Sequence, residues 1–216
     1  MCINDKLELI KKYKCLSNKF EEERKEILLK LKDYNLVVKD NVTKSEVCFI
    51  LSCPGEKELL ANKVCAGQTG KNLDQIITYL NSFCSCIFPS LNRYDYNILN
   101  ASNNVHFEEL TNKPEEDDDI ILSDKNIDRI KKFFKKNKNV KYLVFCGDKA
   151  KLLVGEIGKL GKFKIAIIKH VGLKGINRTI KEDVHNNKIS TLPQNNRTKA
   201  RLEVVALDIW EQINNN

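Results

Sequence analysis

The stretch Glu46-Val47-Cys48-Phe49-Ile50-Leu51-Ser52-Cys53-Pro54-Gly55 decides the fold of this 216-residue chain. Its first half is a short, almost continuous apolar run, and its second half is a turn that ends in Pro-Gly. An apolar run of this length that stops at turn residues is typical of a buried strand. The sequence therefore predicts a strand whose carboxyl end opens directly into a turn.

Strand and helix patterns alternate along the rest of the chain. Apolar runs predict further strands at Tyr94–Leu99, Tyr142–Cys146 and Lys164–Ile168. Apolar residues at three-to-four spacing predict five helical regions. The first covers residues 6–33 with a break near Ser17-Asn18, the second covers 70–83 and is capped by Thr69, and the third begins after a cap at Ser123. The last two cover residues 149–157 and about 198–213. This alternation predicts an α/β fold, a three-layer α/β/α sandwich around a central four-stranded, mostly parallel sheet.

The chain length fits one domain, and we expect residues 1–216 to form it, with residues 1–38 as an N-terminal helical extension packed on it. The acidic run Glu115–Asp119 is expected to be an exposed loop, and the tail Asn214–Asn216 is expected to be frayed.

The composition is that of a globular protein, with 42% apolar and 31% charged residues. The sequence contains no apolar run of the length that a transmembrane helix needs. The N-terminus leads straight into charged residues and lacks the apolar core of a signal peptide. We therefore expect a cytoplasmic protein without a membrane partner.

Eight cysteines are present, and their positions argue against disulfides and metal sites. Cys48, Cys53 and Cys146 lie in or beside apolar runs, where a free cysteine behaves as a small hydrophobic residue. Cys84 and Cys86 form the only close pair, and no second pair completes a set of four ligands. We expect free thiols, no metal and no cofactor.

The formal net charge of +8 favours an anionic partner, and nucleic acid is the first candidate. A solvated lysine-rich surface is the alternative explanation of the same charge.

Polar residues stand at the carboxyl ends of three predicted strands: the turn Ser52–Gly55, Asn100 and His170. In open parallel sheets ligands bind beyond the carboxyl ends of the strands. These three positions are therefore expected to form one site.

Motifs at those positions resemble the uracil-DNA glycosylase superfamily. Leu51–Glu56, followed by Cys65–Asp74, resembles its first motif, in which a strand ends in a turn that carries the water-activating residue and a glycine-rich stretch leads into a helix. Ile98–Ser102 resembles the strand whose asparagine reads the flipped base, and Lys169–Leu173 resembles the last motif, whose histidine faces the base carbonyl. The resemblance covers about residues 46–180.

The resemblance implies a DNA glycosylase that hydrolyses the N-glycosidic bond of uracil, or of a related damaged or modified base, flipped out of single- or double-stranded DNA. His170 would donate to the oxygen of the departing base, and Asn100 would read its edge. Pro54, Gly55 and Cys65 would complete the base pocket. We expect a monomer that uses no cofactor.

Two positions depart from the family pattern. Ser52 and Cys53 fall where the family carries an acidic or amide group that positions water, and neither is a good base; Glu56 and Glu58 are nearby substitutes. Cys65 falls where the family carries an aromatic residue, whose stacking contributes about 1–3 kcal/mol per base. A bulkier base and a rebuilt pocket are both compatible with that change.

Further residues are expected to contact DNA. The backbone amides of Gly67 and Gly70 are predicted to bind a phosphate at the start of a helix. After His170, a basic and flexible loop is predicted, with Leu173 as either a wedge in the base stack or an anchor of the loop; its polar and glycine members are Gly172, Lys174, Gly175, Asn177 and Arg178. The lysines at 131, 132, 135, 136 and 138 are either phosphate contacts or a solvated helix face.

Two other functions remain open. One is a catalytically weak or inactive member of the fold that binds DNA or flipped bases, which Ser52 and Cys53 favour. The other is a hydrolase of free nucleosides or nucleotides. Salt dependence separates the second from the DNA-binding functions, because only binding to several phosphates weakens steeply with salt.

Overall fold

The computed structural model describes residues 3–16 and 20–215. Its N-terminal part contains α1 (Ile3–Cys15) and α2 (Glu21–Leu31), which pack against each other. Helix is thus present on both sides of the break predicted at Ser17-Asn18, and those two residues lie outside the described part.

The centre of the fold is a four-stranded sheet in which every strand is parallel to its neighbours. The strands follow the spatial order β2-β1-β3-β4. They are β1 (Val47–Leu51), β2 (Asn97–Asn100), β3 (Tyr142–Cys146) and β4 (Lys164–Ile168). The α/β fold with a central four-stranded sheet is confirmed, and the sheet is wholly parallel.

Helices cover both faces of this sheet. Between the strands and after them lie α3 (Glu56–Ala61), α4 (Gln68–Phe83), α5 (Glu108–Thr111), α6 (Asp118–Ile121), α7 (Asp124–Lys136), α8 (Asp148–Lys151), α9 (Val154–Gly158), α10 (Leu173–Thr179) and α11 (Gln194–Asn215). Helices α4 and α11 contact each other, and α11 also contacts β4.

Strand β1 explains why its sequence is apolar throughout. Successive side chains of a strand point to opposite faces of the sheet. Phe49 and Leu51 belong to the core formed with α2, α4 and α11, whereas Cys48 and Ile50 belong to the core formed with α7 and α9. All five residues of the strand are buried, because helices cover both of its faces.

Several boundaries differ from the sequence prediction. Helix α4 begins at Gln68 with Gly67, not Thr69, in the cap position, and α11 begins at Gln194 and not at about Thr198. Strand β2 begins at Asn97, because Arg93–Asp95 form a 3-10 turn that the Asn92 side chain caps. The helix predicted over residues 149–157 is divided into α8 and α9. The predicted fraying of Asn214 and Asn215 is wrong, because α11 includes both; Asn216 lies outside the described residues.

Across residues 3–16 and 20–215, no helix is both long enough and apolar enough to cross a membrane.

Candidate functional site

A cavity of about 190 Å³ lies at the carboxyl edge of the sheet. Its lining residues end or follow β1, end β2, follow β4, or belong to α3, to the start of α4 and to the segment between these two helices. They are Leu51, Ser52, Cys53, Gly55, Glu58, Cys65, Thr69, Asn100 and His170. The structure thus brings together most of the residues that the sequence assigned to catalysis and base binding.

His170 lies two residues beyond β4 and is held as a neutral imidazole. Burial lowers its pKa below the ordinary value, although the nearby charge of Glu115 acts in the opposite direction. The Gly172 backbone N–H donates to His170 Nδ1 over 3.0 Å. The proton of the neutral ring is therefore on Nε2, which makes Nε2 a hydrogen-bond donor.

Asn100 is the last residue of β2 and presents an unpaired amide. Its side chain is only 2% exposed, and Nδ2 has no hydrogen-bond partner within the described chain. Burying a donor without a partner costs about 1–3 kcal/mol. An unsatisfied amide that lines a cavity is therefore suited to bind an acceptor on a ligand.

The backbone of Asn100 is fixed by two charged residues that the sequence analysis missed. Asp40 Oδ1 accepts from the Asn100 N–H over 3.0 Å, and Arg129 Nη2 donates to the Asn100 carbonyl over 2.7 Å. Arg129 and Asp40 form an ion pair with a separation of 2.6 Å. Together they hold the end of β2 in place.

Ser52 and Cys53 lie at the end of β1, and neither is a base in this structure. Burial raises the pKa of the Cys53 thiol to about 11, so the thiol stays protonated at neutral pH. The Ser52 hydroxyl donates to Glu115 Oε1 over 2.9 Å. Ser52 is therefore linked to a carboxylate from a distant segment, which the sequence did not reveal.

Glu58 and Glu56, the nearby carboxylates, are both bound to the chain itself. Glu58 accepts from the backbone N–H of Gly55 and of Gly67, each over 3.1 Å. Glu56 accepts from Tyr13 Oη over 2.6 Å and from Arg24 over 3.1 Å. Glu58 thereby joins the turn after β1 to the start of α4, and Glu56 joins α3 to the N-terminal helices.

The first two residues of the acidic run predicted as an exposed loop, Glu115 and Glu116, are instead hydrogen-bonded to buried side chains of the chain. Glu116 is 4% exposed, and its Oε2 accepts from Ser102 over 3.0 Å and from Asn104 over 2.6 Å. His106 Nε2 lies 3.1 Å from the same oxygen. Burial alone would raise the pKa of Glu116, but the hydrogen bond from Asn104 and the close approach of His106 lower it. The exposed-loop prediction is therefore wrong for Glu116, whose buried partners lie up to fourteen residues earlier, whereas Asp117, Asp118 and Asp119 are exposed.

Gly67, before α4, and Gly70, in its first turn, allow close packing. Cys65 has a φ of 57°, and a Cβ at Gly70 would lie 1.8 Å from its carbonyl oxygen. The Gly70 N–H donates to the Gly67 carbonyl, and the Gly67 N–H donates to Glu58. The prediction that these two amides bind phosphate is therefore not supported, because both are already donated within the chain.

Of the residues predicted to form the base pocket, Cys65 lines the cavity and Pro54 is not among the described residues that line it. Burial raises the pKa of the Cys65 thiol to about 12. The Pro54 carbonyl accepts from the His106 N–H over 2.9 Å. None of the described lining residues is Phe, Tyr or Trp, so no such ring from elsewhere in the described chain has replaced the missing one.

The segment after His170 is a helix, which corrects the prediction of a flexible loop. Gly172 caps α10, and Leu173 is its first residue, 38% exposed. A Cβ at Gly175 would lie 2.6 Å from the His170 carbonyl, so α10 sits directly on the histidine. The remaining predicted DNA contacts, Lys174, Asn177 and Arg178, are exposed on this helix.

Lysines in α7 and directly after it lie near the opposite edge of the sheet. Lys131, Lys135 and Lys138 line a separate groove together with Val140, two residues before β3, and Phe163, the residue before β4. The amino ends of parallel strands lie opposite their carboxyl ends. These lysines therefore do not belong to the cavity of His170.

The described residues contain no group of three or more His, Cys, Asp or Glu side chains that is arranged to hold a metal ion. The seven cysteines within the described ranges are free thiols. No protein-family model matches this chain, and no curated protein matches it.

Proposed function

We propose that this chain is a DNA glycosylase of the uracil-DNA glycosylase superfamily, which hydrolyses the N-glycosidic bond of uracil or of a related base flipped out of DNA. One observation carries the proposal: Asn100 and His170 line the same cavity, the first with an unpaired buried amide and the second as a neutral donor.

The chemistry of N-glycosidic cleavage calls for such a pair. The departing base takes the electrons of the broken bond, so a donor aimed at its oxygen lowers the barrier. Nε2 of His170 carries the needed proton without adding a positive charge to the free site. The Asn100 amide donates through Nδ2 and accepts through Oδ1, which matches the edge of a pyrimidine.

The surface beside the cavity suits DNA. Leu173 is an exposed apolar residue three positions from His170, and an apolar side chain there can fill the gap that a flipped base leaves. Lys174 and Arg178 on the same helix add positive charge for the phosphate backbone, in a chain with a net charge of +8.

A second candidate is a DNA-binding member of the fold that recognises a flipped base without releasing it. The observation that favours it is the state of the groups around the cavity. The Cys53 thiol stays protonated, and both oxygens of Glu58 already accept backbone bonds. On this hypothesis the cavity binds the base but has no group that activates water.

Base release decides between the two candidates. The parent chain and His170→Ala are incubated with single- and double-stranded oligonucleotides that carry uracil, hypoxanthine, xanthine or a modified pyrimidine. His185→Ala is the matched control, because His185 is exposed and outside the cavity. Release by the parent and control, but not by His170→Ala, supports the glycosylase.

Binding without release from any substrate supports the second candidate. Salt dependence is measured in the same experiment, because affinity for DNA falls steeply with salt, whereas affinity for a free nucleoside stays nearly constant. Hydrolysis of free nucleosides with a flat salt dependence would contradict both candidates.

A further inference from the structure

We propose that Ser52 and Glu115 form a relay that positions and activates the water attacking the sugar, an inference that rests on the proposed glycosylase function. Ser52 is 5% exposed and lines the cavity. Its Oγ donates to Glu115 Oε1 over 2.9 Å. The carboxylate comes from a segment 63 residues later in the chain, so it lies outside all the motifs that carry the family resemblance.

The acidic segment is seated along the turn after β1. The Pro114 carbonyl lies 3.7 Å from Cys53 Sγ, Glu115 accepts from Ser52, and Glu116 accepts from Ser102 over 3.0 Å. Pro114, Glu115 and Glu116 therefore each contact a residue of the turn after β1 or of the segment after β2. Since Glu116 is buried and bound by several donors, it fixes the position of its neighbour Glu115.

The direction of the Ser52 bond determines what its hydroxyl offers to the cavity. A hydroxyl has one hydrogen and two lone pairs. The hydrogen of Ser52 is directed at Glu115, so its lone pairs remain for a donor such as water. A bond to a charged carboxylate is stronger than a neutral one, and bonds in a chain polarise one another. Ser52 is therefore a better acceptor than an isolated serine.

The proton transfers balance along this chain. The water oxygen bonds to C1′ of the sugar while the C1′–N bond breaks. The electron pair of the C1′–N bond leaves with the base, which becomes an anion that His170 stabilises. One water proton passes to Ser52 Oγ as the Ser52 proton passes to Glu115 Oε1. The products are the 1′-hydroxyl sugar, the base anion and a protonated Glu115. The base anion takes up one proton and Glu115 releases one, which restores the starting state.

The relay of Ser52 and Glu115 supplies a base for the attacking water, which the other groups around the cavity do not. The pKa of Cys53 is raised to about 11, so its thiol is not a base at neutral pH. Glu58 accepts backbone bonds with both oxygens. Glu115 is a carboxylate bonded to a hydroxyl that itself lines the cavity. The position that departs from the family pattern thus regains a negative charge from another segment.

The test compares single-turnover base release and DNA affinity in Glu115→Gln, Ser52→Ala and the double variant. A glutamine keeps the shape of Glu115 and can still accept from Ser52, but it carries no charge. Glu108→Gln is the matched control, because Glu108 is exposed and does not line the cavity. Thermal unfolding of each variant identifies any that fail to fold.

We expect each single variant to lower the release rate about 100-fold, the size of a typical general-base contribution, with DNA affinity unchanged within about twofold. The double variant should be no slower than the slower single variant, because the two residues act as one unit. Release by Glu115→Gln at the parent rate overturns the relay and leaves the glycosylase standing. No release by the parent from any substrate overturns both proposals.

Discussion

The side-chain amide of Asn72 donates to the backbone carbonyl of Val171 over 2.6 Å, across 99 positions of sequence. Asn72 is 2% exposed, and its Oδ1 accepts from Gln68 over 2.9 Å. This bond ties α4 to the residue directly after His170. The buried Asn72 side chain therefore connects α4, whose Thr69 lines the cavity, to the segment that carries His170.

Replacing Asn72 should loosen that connection. In Asn72→Ala the Val171 carbonyl loses its donor, so we expect the free energy of unfolding to fall by about 1–3 kcal/mol. Base release should also slow, because His170 is less well fixed. Urea unfolding and single-turnover release measure the two effects. Asn195→Ala, an exposed position on α11, is the control; equal losses in both variants contradict the prediction.

The pKa of His170 predicts how stability depends on pH. Burial lowers this pKa, so the unfolded chain binds the proton more tightly than the folded chain. The contribution of neutral His170 to stability is therefore complete above the unfolded pKa of about 6.5 and is lost as the pH falls through the folded pKa. Unfolding free energies of the parent and of His170→Gln should converge as the pH falls from 8 to 5.

Two glycine substitutions should change the free energy of unfolding in opposite directions. In Gly70→Ala the new Cβ would lie 1.8 Å from the Cys65 carbonyl, so the backbone must shift, and we expect a loss of about 1–3 kcal/mol or more. Gly155 lies in α9, and an added Cβ would meet no atom within 4 Å apart from its chain neighbours and the adjacent helix backbone, so Gly155→Ala should stabilise by roughly 0.4–1 kcal/mol. Denaturant unfolding of both variants checks the pair, and a stable Gly70→Ala would show that the close approach is not required.

Leu173 should matter for duplex DNA in particular. If it fills the gap left by a flipped base, Leu173→Ala should reduce release from double-stranded substrates far more than from single strands. Leu160 has nearly the same exposure, 37% against 38%, but lies in the groove at the opposite edge of the sheet. Leu160→Ala should leave the duplex-to-single-strand ratio unchanged. An equal loss on both substrates in Leu173→Ala would assign Leu173 to anchoring α10 instead.

The salt dependence of DNA binding should report which cations face the phosphates. Removing one phosphate contact lowers the slope of log affinity against log salt by about one. We expect this change for Arg178→Gln on α10 and no change for Lys138→Gln at the opposite edge. Titrations at several salt concentrations measure both slopes, and the reverse pattern would place the DNA on the other edge of the sheet.

The sequence predicted the elements whose burial produces a local pattern, either a continuous apolar run or apolar residues at regular spacing. Strands β3 and β4 have the bounds that their apolar runs predict, because each run is bounded by turn residues or charges. Strand β2 was predicted to begin too early, since Tyr94 and Tyr96 resemble strand residues. Tyr96 instead packs on Phe49 from the turn before the strand, with ring centroids 5.8 Å apart.

The parts of the site that the sequence missed depend on partners distant in sequence. The bond between Ser52 and Glu115 spans 63 residues, and the ion pair of Asp40 with Arg129 spans 89. Periodicity carries no signal for such pairs, and a run of acidic residues looks solvated whatever it contacts. Gly172 and Gly175 suggested a flexible loop, whereas their missing side chains let α10 pack against His170.

The strand order β2-β1-β3-β4 explains why the cavity is where it is. From β1 the chain passes to β2 on one side, and it then crosses back to continue through β3 and β4 on the other. The topological switch point thus lies between β1 and β3, where the connections that leave the two strands run in opposite directions and open a crevice between their carboxyl ends. The crevice is a property of the backbone path. Side chains at Ser52, Cys53 and Cys65 can therefore be exchanged in evolution without closing it, and a new chemistry can arise on an unchanged scaffold.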